Sequence, residues 1–72
     1  ENYTMTKLLS IELDTDFEYD VTHGEAQAEL DAYVGNVIDV SDFIDHDYST
    51  WEAARDWLTE ETGLLIAHVS VA

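Results

Sequence analysis

From Met5 to Val21 the apolar residues fall almost entirely on odd positions: Met5, Leu9, Ile11, Leu13, Phe17, Tyr19 and Val21. A period of two is the signature of a strand with one face in a core and the other in water. The stretch is long for a single strand, so it reads as the two strands of a β-hairpin that meet near Asp14-Thr15-Asp16. On this reading the odd positions face the core and the even positions face solvent.

The period then changes. Thr22-His23-Gly24-Glu25 has the spacing of a capping box, in which a hydroxyl and a carboxylate satisfy free N–H groups at a helix start. A helix is expected to follow, with Ala26, Leu30, Tyr33 and Val34 on one face and a stop at Gly35-Asn36. Val37 to Val40 reads as a short strand or extended link, and Ser41 to Tyr48 as a loop or single helical turn pinned by Phe43 and Ile44. Ser49-Thr50-Trp51-Glu52 repeats the capping-box spacing and opens a second helix, with Trp51, Ala54, Trp57 and Leu58 along one face until Gly63. Leu64 to Val71 is the final strand, apolar on both faces in its first half and therefore expected inside the sheet. Residues 1–72 thus predict a single small α+β domain: a hairpin, helix, short strand, helix and final strand, with the helices on one face of a mainly antiparallel sheet.

Composition adds one fact that the patterning does not. Seventeen Asp and Glu face only Lys7 and Arg55, a formal net charge of −15. Self-repulsion of that size opposes compaction, so either strong salt screens it or a function requires it. Direct binding to DNA, RNA or an anionic membrane is excluded as an expectation, because it needs Lys and Arg to displace condensed cations. The apolar share of 46%, with two Trp, two Phe and four Tyr, nevertheless supports a folded core. No cysteine is present, which removes disulfides, thiolate metal sites and thiol nucleophiles. No apolar run approaches the ~18 residues of a membrane span, and the first residues lack the regions of a secretory signal, so a cytoplasmic location is expected.

The carboxylates are patterned. Glu12, Asp14, Asp16, Glu18 and Asp20 occupy every second position of the expected hairpin. Side chains on one strand face lie about 6.6 to 6.8 Å apart, close to two steps of the ~3.4 Å rise at which each DNA strand carries its phosphates. A turn near residues 14 to 16 divides that row in two. Glu52, Asp56 and Glu60 recur every fourth residue of the second helix, and Glu25 and Glu29 repeat the spacing in the first. Like charges so placed each cost a helix about 0.2 to 0.5 kcal/mol. Part of the pattern is structural, since Glu25 and Glu52 gain from sitting near helix starts, and acids opposite an apolar stripe are the ordinary solvated face. A solvated surface, however, normally mixes both signs.

Candidate chemistry is sparse. Asp39, Asp42, Asp45, His46 and Asp47 have an oxygen-rich composition suited to a hard cation, but lack the glycine, terminal glutamate and alternate-residue spacing of an EF-hand loop. His23, His46 and His68 show no zinc or triad spacing. So many carboxylates guarantee that some pair will sit at a glycosidase-like separation by chance. No catalytic residue, metal or cofactor is expected. Of the two tryptophans, either both belong to the core, as suits so small a domain, or one does and the other, with Tyr48 or Tyr33, is an exposed aromatic anchor for a partner.

In length, acidity and lack of a catalytic motif the chain resembles the small acidic inhibitors that bacteriophages make against host nucleases, restriction enzymes, CRISPR complexes or RNA polymerase. The resemblance covers general properties and carries over no residue. It implies a DNA mimic, a monomer or homodimer in the host cytoplasm, that occludes a basic nucleic-acid-binding groove; the partner-binding candidates are Glu12, Asp14, Asp16, Glu18, Asp20, Glu52, Asp56 and Glu60. Two other readings fit the composition: a halophilic housekeeping or interaction domain whose acidity is salt adaptation, and a small cation-binding regulatory module.

Overall fold

A computed structural model of the chain describes residues 4–44, 47 and 49–72. Three strands and two helices follow in the order β1 (Met5–Leu13), α1 (His23–Asp31), β2 (Val37–Asp39), α2 (Thr50–Thr62) and β3 (Ile66–Val71), with a single 3-10 turn at Ser41–Phe43 before α2. The sheet order is β2-β1-β3, both pairings antiparallel. β2 and β3 therefore run parallel to each other on either side of β1, joined by the crossover through α2. Both helices pack on one face, α1 against β1 and α2 against β3. This is the α+β architecture expected.

The second strand of the expected hairpin does not form. β1 is the central strand: β3 occupies one side of it from Leu8 to Leu13, and on the other side lie β2 and the chain around Gly35 and Asn36. Beyond Lys7 that second side has no strand beside it; the Gln27 side chain of α1 takes the Ile11 carbonyl and the Leu13 N–H, the groups that residues 17 to 21 would have paired with. Those residues form a loop instead, in which Tyr19 alone packs against the core while Phe17 and Val21 stay exposed. The Tyr19 hydroxyl fastens this loop by donating to the Asp14 carbonyl at 2.7 Å, and the His23 Nε2 lies 2.7 Å from the Phe17 carbonyl. Because β1 takes the centre, β3 lies at an edge, contrary to its apolar sequence; α2 provides the burial that a flanking strand would have given.

The odd-position rule also fails for the first half of β1. Thr6 and Leu8 are buried and Met5 and Leu9 exposed, whereas Ile11 and Leu13 are buried and Glu12 exposed. Pairing with β3 shifts register between Leu8 and Ser10, and an extra residue at a β-bulge reverses which parity faces the core. A second shift lies between Glu12 and Leu13.

Local chemistry explains the helix limits. The Thr22 hydroxyl accepts from the Glu25 N–H, and Glu52 reaches back to accept from both the Ser49 N–H and the Ser49 hydroxyl. α2 ends at Gly63, whose φ of 73° lies in the left-handed region that glycine adopts without strain. The core comprises Leu8, Ile11 and Leu13 of β1, Ala26 and Leu30 of α1, Ile38 and Val40, Ala53, Ala54 and Leu58 of α2, and Leu64, Ile66 and Val69. No helix among the described residues is long and apolar enough to cross a membrane.

Candidate protein-binding surface

The alternating carboxylates do not form one comb. Glu12 alone lies on a strand, exposed on the side of the sheet away from the helices and paired with His68 of β3. Asp14 is half-buried where the loop begins, and it is structural: its N–H donates to the Leu65 carbonyl at 3.0 Å and its carboxylate accepts from the Asp16 N–H at 3.0 Å. Asp16, Glu18 and Asp20 are exposed along the loop. The straight row needed a strand through residue 20, and the occupied flanks of β1 prevent it.

The loop instead brings Glu18 and Asp20 together with Glu29 of α1. The three line a cleft of about 380 Å³, with Tyr19, Gly63 and Leu64 among its walls. Glu29 belongs to the regular spacing of α1, but its meeting with Glu18 and Asp20 had no signal in the sequence, because an irregular loop sets it.

On α2 the row survives with different roles along it. Glu52 is half-buried and serves the Ser49 cap. Asp56 is half-buried and lies 3.4 Å from the Arg55 Nε, the one ion pair among the described residues. Glu60 is exposed, as is Glu61 beside it. Neither helix carries a basic residue in its last turn.

The aromatic residues divide. Trp57 packs on the core edge-on to Tyr33, with ring centroids 5.9 Å apart and planes at 81°. Trp51 stands beside His68, with centroids 4.7 Å apart, and Arg55 lies 5.5 Å above the Trp51 ring. Trp51 is half-buried, so it remains accessible to a partner, whereas Tyr33 belongs to the core contact of Trp57. Tyr48 lies outside the described residues.

In the aspartate-rich segment, Asp45 and His46 also lie outside the described residues. Asp39 accepts from the Ser41 N–H at 2.9 Å and from the Ser41 hydroxyl, and these bonds hold its carboxyl below the ordinary value of 3.8. The same Ser41 oxygen accepts from the Thr4 N–H at 2.7 Å, tying the segment after β2 to the start of β1. Asp39 thus has a structural occupation. Among the described residues no group of three or more His, Asp or Glu is placed to hold a metal ion.

A surface that sequence patterning missed is the open face of the sheet. Met5, Leu9 and Val37 are exposed there, although alternation assigned Met5 and Leu9 to the core. The bulge in β1 carries no distinctive residue type, so nothing in the sequence marks the reversal.

The chain matches no family model, and no curated protein or solved structure is significantly similar to it.

Proposed function

We propose that this domain acts by binding a protein, without catalysis, and that its carboxylates take the place of nucleic-acid phosphates in a basic groove of that partner. The supporting observation is where acids are kept. Glu60 and Glu61 sit exposed in the last turn of α2, at the negative end of the helix dipole, where a cation would stabilise the fold. Neither carboxylate makes a hydrogen bond among the described residues, so the fold gains nothing from them there. Charge held against local stability is accounted for by an external partner that uses it. The mechanism is competitive occlusion: long-range attraction speeds encounter, and a few aromatic or apolar contacts hold the complex. Glu60 on α2, and Asp16, Glu18 and Asp20 on the loop, are exposed candidates whose carboxylates are not spent on caps, turns or an ion pair among the described residues, while Asp56 beside Glu60 is half-buried and shared with Arg55. Targets of this chemistry are nucleases, restriction enzymes, CRISPR complexes and polymerases, and the domain would act in the cytoplasm of the cell that contains them.

The test is capture of proteins from a bacterial lysate on the immobilised domain, with elution by duplex DNA. Recovery of a single nucleic-acid enzyme, released by DNA, inhibited by the purified domain and lost with Asp56→Lys/Glu60→Lys or with Glu18→Lys/Asp20→Lys, is the expected result. Basic proteins recovered in proportion to their abundance, unaffected by either double substitution, would return the acidity to salt adaptation.

A further inference from the structure

Both helices cover the same side of the three-stranded sheet, which leaves the other side open. On that open side Val37 is 58% exposed, Met5 55% and Leu9 48%, and only Phe17, on the loop, matches any of them among the large apolar residues of the described chain. Strand register makes them neighbours. Met5 pairs with Asp39 and Lys7 with Val37, and the bulge turns Leu9 outward next along β1. Ser10, opposite Ser70, and Glu12 continue the same face, whereas the His68 ring beside Glu12 is taken up by Trp51 of α2.

The charge of this face is unlike that of the molecule. It holds Lys7, one of the two cations in the chain, against Asp39 and Glu12, so nearly all of the net −15 lies elsewhere. Residues 2–11 and 62–72, which supply most of β1 and all of β3, contain no acid at all. A basic partner is drawn to the carboxylate-rich surfaces and away from this one. Another copy of the chain is repelled least by this one, where a single cation stands against two acids.

We propose that the open sheet face is a self-association surface, on which two copies meet about a two-fold axis. The symmetry brings Lys7 of each copy to an acid of the other, Asp39 or Glu12, twice over, around a centre of Met5, Leu9 and Val37. Strands of nine, three and six residues, each ~4.8 Å wide and rising ~3.3 Å per residue, present on the order of 300 Å² per copy, well under half of the ~800 Å² per partner of a standard interface. The dimer is therefore weak and concentration-dependent. It leaves α2 and the acidic loop outward, so the two copies display their carboxylates jointly. Salt sets the sign that separates this association from docking of a basic protein: screening the repulsion between two copies strengthens the dimer, whereas screening weakens an attraction between opposite charges.

Sedimentation velocity on the purified chain tests it, from micromolar concentrations to about 1 mM, the range over which a weak complex saturates, and at NaCl from about 0.05 to 0.5 M, which shortens the Debye length from ~13 to ~4 Å. The mass is expected to rise toward that of a dimer with concentration and with salt. Val37→Glu, at an exposed position, is expected to weaken the dimer at least tenfold with an unchanged circular dichroism spectrum, and dilution is expected to move the NMR signals of Met5, Lys7, Leu9 and Val37 selectively. A monomer under every condition overturns the proposal, as does a dimer that weakens with salt or ignores Val37→Glu. A chain that stays monomeric while Val37→Glu abolishes capture of another protein would assign the face to that protein instead. Because the measurement uses the purified chain alone, its failure leaves the basic-groove reading untouched.

Discussion

Gln27 shows how one side chain completes the sheet. β2 pairs with β1 only from Met5 to Lys7, so the backbone of β1 near its C-terminal end needs other partners on that side. The Gln27 side chain leans from α1 and supplies them: its amide nitrogen donates to the Ile11 carbonyl at 2.7 Å, and its amide oxygen accepts from the Leu13 N–H at 3.0 Å. The same nitrogen donates to the Asp31 carboxylate at 2.9 Å, which fixes the rotamer. Only an amide carries both donor and acceptor in the required fork. Gln27→Ala strips the partners from two strand groups and is expected to destabilise the domain by about 1 to 3 kcal/mol, read from chemical denaturation. Gln27→Glu keeps the acceptor for Leu13 but sets a carboxylate against the Ile11 carbonyl, so it should rescue little. A change within a few tenths of a kcal/mol for either would show that water replaces the bridge at no cost.

At the scale of elements, α2 is well begun and poorly ended. The Ser49–Glu52 cap satisfies its first turn, and Gly63 closes it in the left-handed conformation with the Gly63 N–H donating to the Thr59 carbonyl at 2.8 Å. Its final turn nevertheless carries Glu60 and Glu61 against the dipole. Glu61→Lys is expected to stabilise the domain by about 0.3 to 1 kcal/mol at low salt, a rise of a few degrees in Tm for a chain of this size, with the gain fading as salt is added. An unchanged or lower Tm would mean that the dipole is already offset at that end, and would remove the argument that these acids are kept at the expense of stability.

For the whole molecule, a core of mostly small and medium side chains must hold together a net charge of −15. Domains of this length have only ~3 to 5 kcal/mol of stability from a single core, so unscreened repulsion takes a large share. Thermal unfolding followed from ~0.01 M NaCl, where the Debye length is ~30 Å, to ~1 M, where it is ~3 Å, is expected to show Tm rising by several degrees and levelling off at the upper end. A Tm independent of salt would show that the carboxylates are spaced widely enough not to oppose folding.

Several elements were legible from residues alone because short-range chemistry dictates them: Thr22 and Ser49 as caps, Gly63 as a stop, Val37–Asp39 as a strand, and Ala26, Leu30, Ala54 and Leu58 as core faces of the helices. The α+β class followed from their order, and the excess of acid is a property of composition. What tertiary structure decided was the neighbourhood of β1. Alternation from Met5 to Val21 promises a surface for pairing, but pairing needs a free flank, and once β2, β3 and Gln27 had filled both sides of β1, Phe17 and Val21 had no sheet to join. The bulge at Leu9 and Ser10 was equally illegible, because one extra residue in a ladder depends on the strand opposite and leaves no mark in its own sequence. Those two long-range choices broke the acidic comb, gathered Glu18, Asp20 and Glu29 at one cleft, and turned Met5 and Leu9 out to face water.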